Sequence, residues 1–128
     1  MAAGRRFQLG ELQLAILKVL WDRGPAAVGE VRRGLGRRKR PAYTTVATVL
    51  RRMEDDGIVT HSEDGRRFIY RAAVDPDRVA GSMAGDVLDR VFEGSLADMV
   101  GHLLSSREVD ADELDRLERL IAEQREQA

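Results

Sequence analysis

The 128-residue chain contains no cysteine. That excludes a disulfide, a thiolate nucleophile and any metal site built on cysteine, and it is compatible with a reducing compartment. Histidine is scarce as well: His61 and His102 are the only two, and neither has a catalytic partner in the surrounding sequence. There is no Walker loop, dinucleotide fingerprint or zinc-ligand spacing, so no cofactor and no metal are expected. The Asp and Glu residues read as helix caps and solvated faces rather than as an acid and base pair, which leaves no case for an enzyme. Long apolar runs are missing too. Residues 12–21 are interrupted by Gln13 and Lys18 and lack a small-residue cleavage site, so they form neither a secretory signal nor a bilayer span. A cytoplasmic protein without membrane insertion is expected.

The formal net charge is only -1, which by itself points to no anionic partner. Its distribution is uneven. Residues 1–72 hold 15 Arg or Lys against 8 Asp or Glu, or +7, and residues 73–128 hold 6 against 14, or -8. A local basic field, not the total, is what attracts phosphate. A chain of this length can bury one small domain with an appended oligomerisation segment, so the expected division is 1–72 and 73–128.

Within the basic part, Leu12, Ile16, Val19 and Leu20 give the stripe of a first helix over residues 10–22, ended by Gly24-Pro25. Trp21, at the end of that stripe, is expected in the core and not on a ligand shelf. Val28, Val31 and Leu35 mark a short second helix. Arg32, Arg33, Arg37, Arg38, Lys39 and Arg40 then cluster before Pro41, in a turn that would face backbone phosphates. Pro41 keeps its predecessor out of the α region, so a third helix begins at Ala42 or Tyr43. On that helix Val46, Val49, Leu50 and Met53 share one side, which leaves Thr44, Thr48 and Arg51 facing outwards.

Small hydroxyls beside arginine suit a helix that enters a major groove, where Thr meets a base edge or thymine methyl and Arg grips guanine or phosphate. Gly57 ends the helix, residues 58–63 read as a strand, Asp64-Gly65 as a two-residue turn, and residues 66–71 as the returning strand. Phe68 and Tyr70 share one face of that strand; Arg67, Ile69 and Arg71 share the other. Arg66 and Arg67 sit near the tip. A helix-turn-helix followed by a basic hairpin is a winged helix, and its expected DNA-binding residues are Lys39, Arg40, Tyr43, Thr44, Thr45, Thr48, Arg51, Arg52, Arg66 and Arg67.

Beyond Ala72, Asp75-Pro76-Asp77 starts a helix that reaches Phe92 and carries Val79, Met83, Val87, Leu88, Val91 and Phe92. Gly94-Ser95 breaks it before a shorter helix with Leu96, Met99, Val100, Leu103 and Leu104. Asp110 caps a last helix with Glu113 three residues on, bearing Leu114, Leu117, Leu120 and Ile121. Three short amphipathic helices make little core alone, so they either pack back onto the winged helix or pair with a second copy, and a palindromic operator favours the dimer. The expected dimerisation residues are Val87, Leu88, Val91, Phe92, Leu96, Met99, Val100, Leu103 and Leu117. A second reading makes the protein a ligand-sensing winged helix, with a small-molecule pocket at the dimer interface drawn from Met83, Phe92 and Met99.

Taken together, LGELQLAILKVLWDRGPAAVGEV, AYTTVATVLRRMEDDGIV, RRFIYRAAV, VFEGSLADMV and ELDRLERLI resemble the penicillinase-repressor family of winged-helix regulators, which also holds methicillin-resistance and copper-responsive repressors. The likeness spans nearly the whole chain. It implies a fold that is mainly α with a small β-hairpin: a winged helix-turn-helix domain plus a three-helix C-terminal dimerisation domain. It further implies a homodimeric repressor on dyad-symmetric, double-stranded operators, with Thr44, Thr45, Thr48, Arg51 and Arg52 in the recognition role. In the antibiotic-resistance branch, a membrane sensor-protease system leads to proteolysis in the tail, and GSLADMVGHLL places the corresponding segment at Gly101, His102 and Leu103. Those residues read equally well as interface core. Copper sensing through a cysteine cluster in the tail is excluded by composition.

Overall fold

In the computed structural model, residues 9–38 and 40–128 are described. The elements run α1 (Glu11–Arg23), β1 (Ala26–Ala27), α2 (Val28–Gly34), α3 (Tyr43–Asp55), β2 (Val59–Asp64), β3 (Arg67–Ala72), α4 (Pro76–Phe92), α5 (Leu96–Ser106) and α6 (Ala111–Gln127). The fold is mainly helical with one small antiparallel sheet, and its helices follow the predicted order. The chain divides into two compact units, one ending at Ala84 and the other Gly85–Ala128.

In the first unit the apolar stripes converge. Ile16, Leu17 and Leu20 of α1, Val31 of α2, and Val46, Leu50 and Met53 of α3 join Ile58, Val59 and Tyr70 in one core. Burying each such side chain contributes about 1.5–3 kcal/mol. The start of α4 belongs to the same core, because Val74 and Val79 are buried in it. Trp21 is half-buried against this cluster, and its indole Nε1 donates to the Val74 carbonyl at 2.8 Å. That bond explains a tryptophan here, since a partly buried N–H needs an acceptor.

Helix α1 starts at Gly10, whose N–H donates to Gln13 Oε1 at 2.9 Å, and stops at Gly24 with φ +87°. Helix α2 crosses α1 closely: a Cβ added at Gly34 would fall 2.7 Å from Val19 Cγ1.

The structure corrects two local expectations. The sheet has three strands, not two, in the order β1-β3-β2, with Ala26 opposite Tyr70 and Ala27 opposite Ile69. Two alanines carry no periodicity that could announce a strand. The turn residues are Gly65 and Arg66, because Asp64 pairs with Arg67 as the last rung of the hairpin. Gly65 takes φ +65° at the first central position, where a two-residue hairpin loop favours glycine.

The second unit is locally well specified. The helix break falls at Glu93 and Gly94, with φ +50° and +84°. Ser95 Oγ accepts from Asp98 N at 3.1 Å to cap α5, and Asp110 Oδ1 accepts from Glu113 N at 2.8 Å to cap α6. Its apolar faces are another matter. No residue from Gly85 to the end is buried, and Val91, Leu96 and Ile121 are 66%, 62% and 54% exposed. Among the described residues, no helix is long and apolar enough to cross a membrane.

Candidate nucleic-acid interface

Helix α3 is amphipathic in the way its sequence requires. Val46, Leu50 and Met53 are fully buried, Val49 is half-buried, and Thr44, Thr45, Thr48, Arg51 and Arg52 are exposed. Tyr43 opens the helix and is exposed. Its N-cap, Ala42, is extended and offers no side-chain acceptor, and the first turn holds no acid. The positive end of the helix dipole is therefore left uncompensated, which suits an approaching anion. Thr48 Oγ1 donates to the Thr44 carbonyl at 2.9 Å. With its proton engaged, Thr48 offers a methyl group and oxygen lone pairs.

The basic loop divides its arginines between two jobs. Arg32 Nε donates to the Pro41 carbonyl at 2.8 Å, while Arg40 Nε donates to Gly36 O at 2.6 Å and its Nη2 to Arg33 O at 3.2 Å. These bonds close the turn before α3. Arg33, Arg37 and Arg38 remain exposed, so they keep their charge at the surface. Lys39 lies outside the described residues.

In the wing, Arg66 occupies the turn and is exposed. Arg67, beside it on β3, has its Nη2 3.0 Å from Glu30 Oε1 on α2. Glu30 Oε1 also accepts from Ala27 N at 3.0 Å. The backbone hydrogen bond first, and then the nearby Arg67, Arg23 and Arg33, hold this carboxyl below its ordinary pKa. On the inner face of the hairpin, His61 stacks on Phe68 with ring centroids 4.1 Å apart, and His61 Nδ1 lies 2.6 Å from Glu54 Oε2. Tyr70 is buried behind them, and desolvation, reinforced by Glu54, pushes its hydroxyl pKa up. The stack ties the wing to the end of α3. Between α2, α3 and the wing lies an open cleft of about 590 Å³, lined in part by Arg33, Tyr43, Arg51, Arg66, Arg67 and Phe68.

The sequence-predicted DNA-binding residues that the structure describes thus gather on α3, the loop before it and the wing, all within the first unit. Sequence reasoning missed Glu30 and Glu54. Both fix a neighbouring side chain across the fold, and nothing in their local sequence announces a partner 37 residues away, as for Glu30 and Arg67.

The expected dimerisation residues all lie in the second unit. Leu88, Phe92, Met99, Val100 and Leu117 are half-buried, whereas Val87, Val91, Leu96 and Leu103 are exposed. Gly101, His102 and Leu103 are exposed residues in the interior of α5, and the His102 ring sits 5.9 Å from that of Phe92. Of the three residues read as a pocket, Met83 packs against the core of the first unit, while Phe92 and Met99 belong to the second.

A family model described as "Penicillinase repressor" matches residues 9–123. The penicillinase repressor of Bacillus licheniformis is 25% identical over 116 residues, covering 91% of each chain. The transcriptional regulator BlaI of Mycobacterium tuberculosis is 36% identical over 118 residues, covering 91% of this chain and 84% of its own. Among solved structures, Bacillus licheniformis BlaI, as a monomeric form in complex with the blaP half-operator, matches with a TM-score of 0.49 and 26% identity over 58% of this chain and 90% of that one. MepR, a transcription regulator of a Staphylococcus aureus multidrug efflux pump, shares the fold at a TM-score of 0.50 and 15% identity, over 94% of this chain and 81% of its own.

Proposed function

The chain belongs to the penicillinase repressor family, and from that premise we propose that it represses transcription by binding dyad-symmetric operators as a homodimer. One observation carries the reading: Thr44, Thr45, Thr48, Arg51 and Arg52 form the exposed face of α3, opposite a fully buried Val46, Leu50 and Met53. A rigid inner face holds the outer one at a fixed depth in the groove. Thr48 and Arg51 read base edges, Tyr43 and Thr44 meet the backbone at the start of the helix, and Arg52 and the exposed Arg33, Arg37 and Arg38 follow the adjoining phosphates, while Arg40 keeps the loop closed. Arg66 brings the wing to the backbone. An acid-and-base mechanism has no place here, because the family consists of repressors.

The second unit supplies the dyad. Its exposed Val91, Leu96 and Ile121 fit a second copy of the same helices, with Val87, Phe92, Met99, Val100, Leu103 and Leu117 around them. Release follows from loss of this pairing. A cut at Gly101, His102 or Leu103 after a membrane sensor-protease responds would split α5 and make the two half-sites independent of each other. Because these residues lie inside a helix, α5 must open locally before a protease can engage the backbone. Such a regulator works in the cytoplasm, where the operator is.

The experiment is capture of genomic fragments by the purified protein, followed by sequencing and titration of the enriched duplex at several salt concentrations. The reading expects one enriched dyad sequence, bound more tightly than random duplex, with affinity falling steeply as salt rises. No enrichment over random fragments would reject it. Immunoblots of the host under β-lactam exposure test the release step: full-length protein that persists while target genes switch on would reject cleavage.

A further inference from the structure

We propose that Glu30 is a positioning residue of this DNA-binding surface: it holds Arg67 against α2 and so withholds that charge from the DNA phosphates, leaving Arg66 to meet the backbone from the wing. The inference rests on the DNA-binding reading. Its basis is a two-sided clamp, in which Glu30 Oε1 accepts from Ala27 N and from Arg67 Nη2, each at 3.0 Å. The backbone of Glu30 is held as well, since its carbonyl accepts from Arg23 Nη1 at 3.1 Å. The carboxylate therefore stays where it is, and Arg67 comes to it.

The position matters because of its company. Glu30 lines the cleft between α2, α3 and the wing together with Arg33, Arg51, Arg66 and Arg67, and among the described residues no other acid lines that cleft. A lone carboxylate among four arginines, on a surface meant for a polyanion, repels phosphate and lowers raw affinity. Bound to Arg67, it cancels one of those four charges. The other wing arginine, Arg66, lies in the turn, beyond the last paired residues Asp64 and Arg67. Neighbouring arginines that look equivalent in sequence are thus assigned different work by a residue on another element.

The number of phosphates neutralised separates the assignments, because each phosphate added to or removed from the footprint shifts the slope of log affinity against log salt by about 0.9. Glu30→Gln keeps an amide oxygen that can still accept from Ala27 N, so the start of α2 is retained while the negative charge that neutralises Arg67 is removed and only a weak neutral acceptor is left to compete with phosphate. The expected result is a slope steeper by about one phosphate on operator and random duplex alike, so that the drop in affinity from 50 to 200 mM salt grows about 3.5-fold. The ratio of operator to random affinity stays unchanged. In an Arg67→Ala background, Glu30→Gln leaves the slope where it was, because there is no charge to release. A purely structural role for Glu30 would lower the melting temperature without moving the slope.

A wild-type slope in Glu30→Gln overturns the proposal, and so does a slope flattened by about one phosphate in Arg67→Ala alone, which would make Arg67 an ordinary phosphate ligand. Failure of the underlying reading looks different: the wild-type protein would then show no salt-dependent binding to any duplex.

Discussion

In the unit ending at Ala84, Ile16, Leu17, Val46 and Leu50 are fully buried, whereas from Gly85 onwards Val91 and Leu96 remain largely exposed. Both regions are built from amphipathic helices, and the side-chain caps of α5 and α6 are better than those of α1, α2 and α3, so poor helix formation does not explain the exposed faces. The difference lies in what each helix has to pack against. Helix α3 meets α1, α2 and the sheet from the same chain, while α4 beyond Ala84, α5 and α6 end with an apolar surface and no residue hidden. An apolar period in a sequence therefore identifies a face to be covered; it does not say whether the cover comes from the same chain or from another. Charge divides in the same direction, with the self-contained region basic and the open one acidic.

The largest effect comes from separating the two regions. A fragment comprising residues 1–84 should fold, sediment as a monomer and bind the operator about 10²–10⁴-fold more weakly than the intact chain, because the second half-site loses its raised effective concentration. Cutting at Ala72 instead removes Val74, Val79 and the acceptor for Trp21, and that fragment should be less stable than 1–84 by roughly 3–6 kcal/mol in denaturant unfolding. Equal stability of the two fragments would show that α4 adds nothing to the first core.

Next in size is the contrast between two leucines. Leu50→Ala should cost about 2–5 kcal/mol in the 1–84 fragment, since it empties a fully buried site. Leu96→Ala, at a 62% exposed site, should leave the unfolding of the first unit unchanged and weaken self-association. A Leu96→Ala protein that assembles as tightly as wild type would remove this face from the interface.

Recognition is more delicate than folding. Replacing Arg51 by Ala should relax the preference for operator over random duplex by about 1–3 kcal/mol while leaving the melting temperature within error, as measured by competition binding. Thr48→Ala should act in the same direction and less strongly, because its hydroxyl proton is already engaged by the Thr44 carbonyl.

Much of this arrangement was legible in the sequence. The period of Val46, Leu50 and Met53 set the inner face of α3 and hence its outer one, Gly57 and Gly65 marked reversals that both take positive φ, and Asp75, Ser95 and Asp110 stood where helices begin. What escaped reading depended on distant partners. Strand β1 is two alanines whose pairing with β3 exists only once the hairpin is in place. The turn shifted by one residue because Asp64 could pair with Arg67, a matter of register that composition does not encode. The change of charge falls after Ala72, yet the packing boundary falls inside α4, because Val79 sits on the near side of an otherwise continuous helix. Arg40 and Arg67 read as free cations, but their guanidinium groups are engaged by loop carbonyls and by Glu30.

The smallest effect is a pH dependence at Glu30. Its folded pKa is lowered, so its stabilising contribution is present above the ordinary carboxylate range and is lost as pH falls through the folded value. The melting-temperature difference between wild type and Glu30→Gln should therefore be constant near neutrality and shrink below about pH 4. A difference that grows on acidification would contradict the direction of the shift.

Sedimentation of the intact chain at micromolar concentration tests the central contrast most directly. A particle of twice the 14.3 kDa chain mass, falling to the single-chain mass in the 1–84 fragment, is the predicted result. An intact chain that sediments as a monomer would contradict the account, because the open apolar faces of the second unit would then have no second copy to cover them.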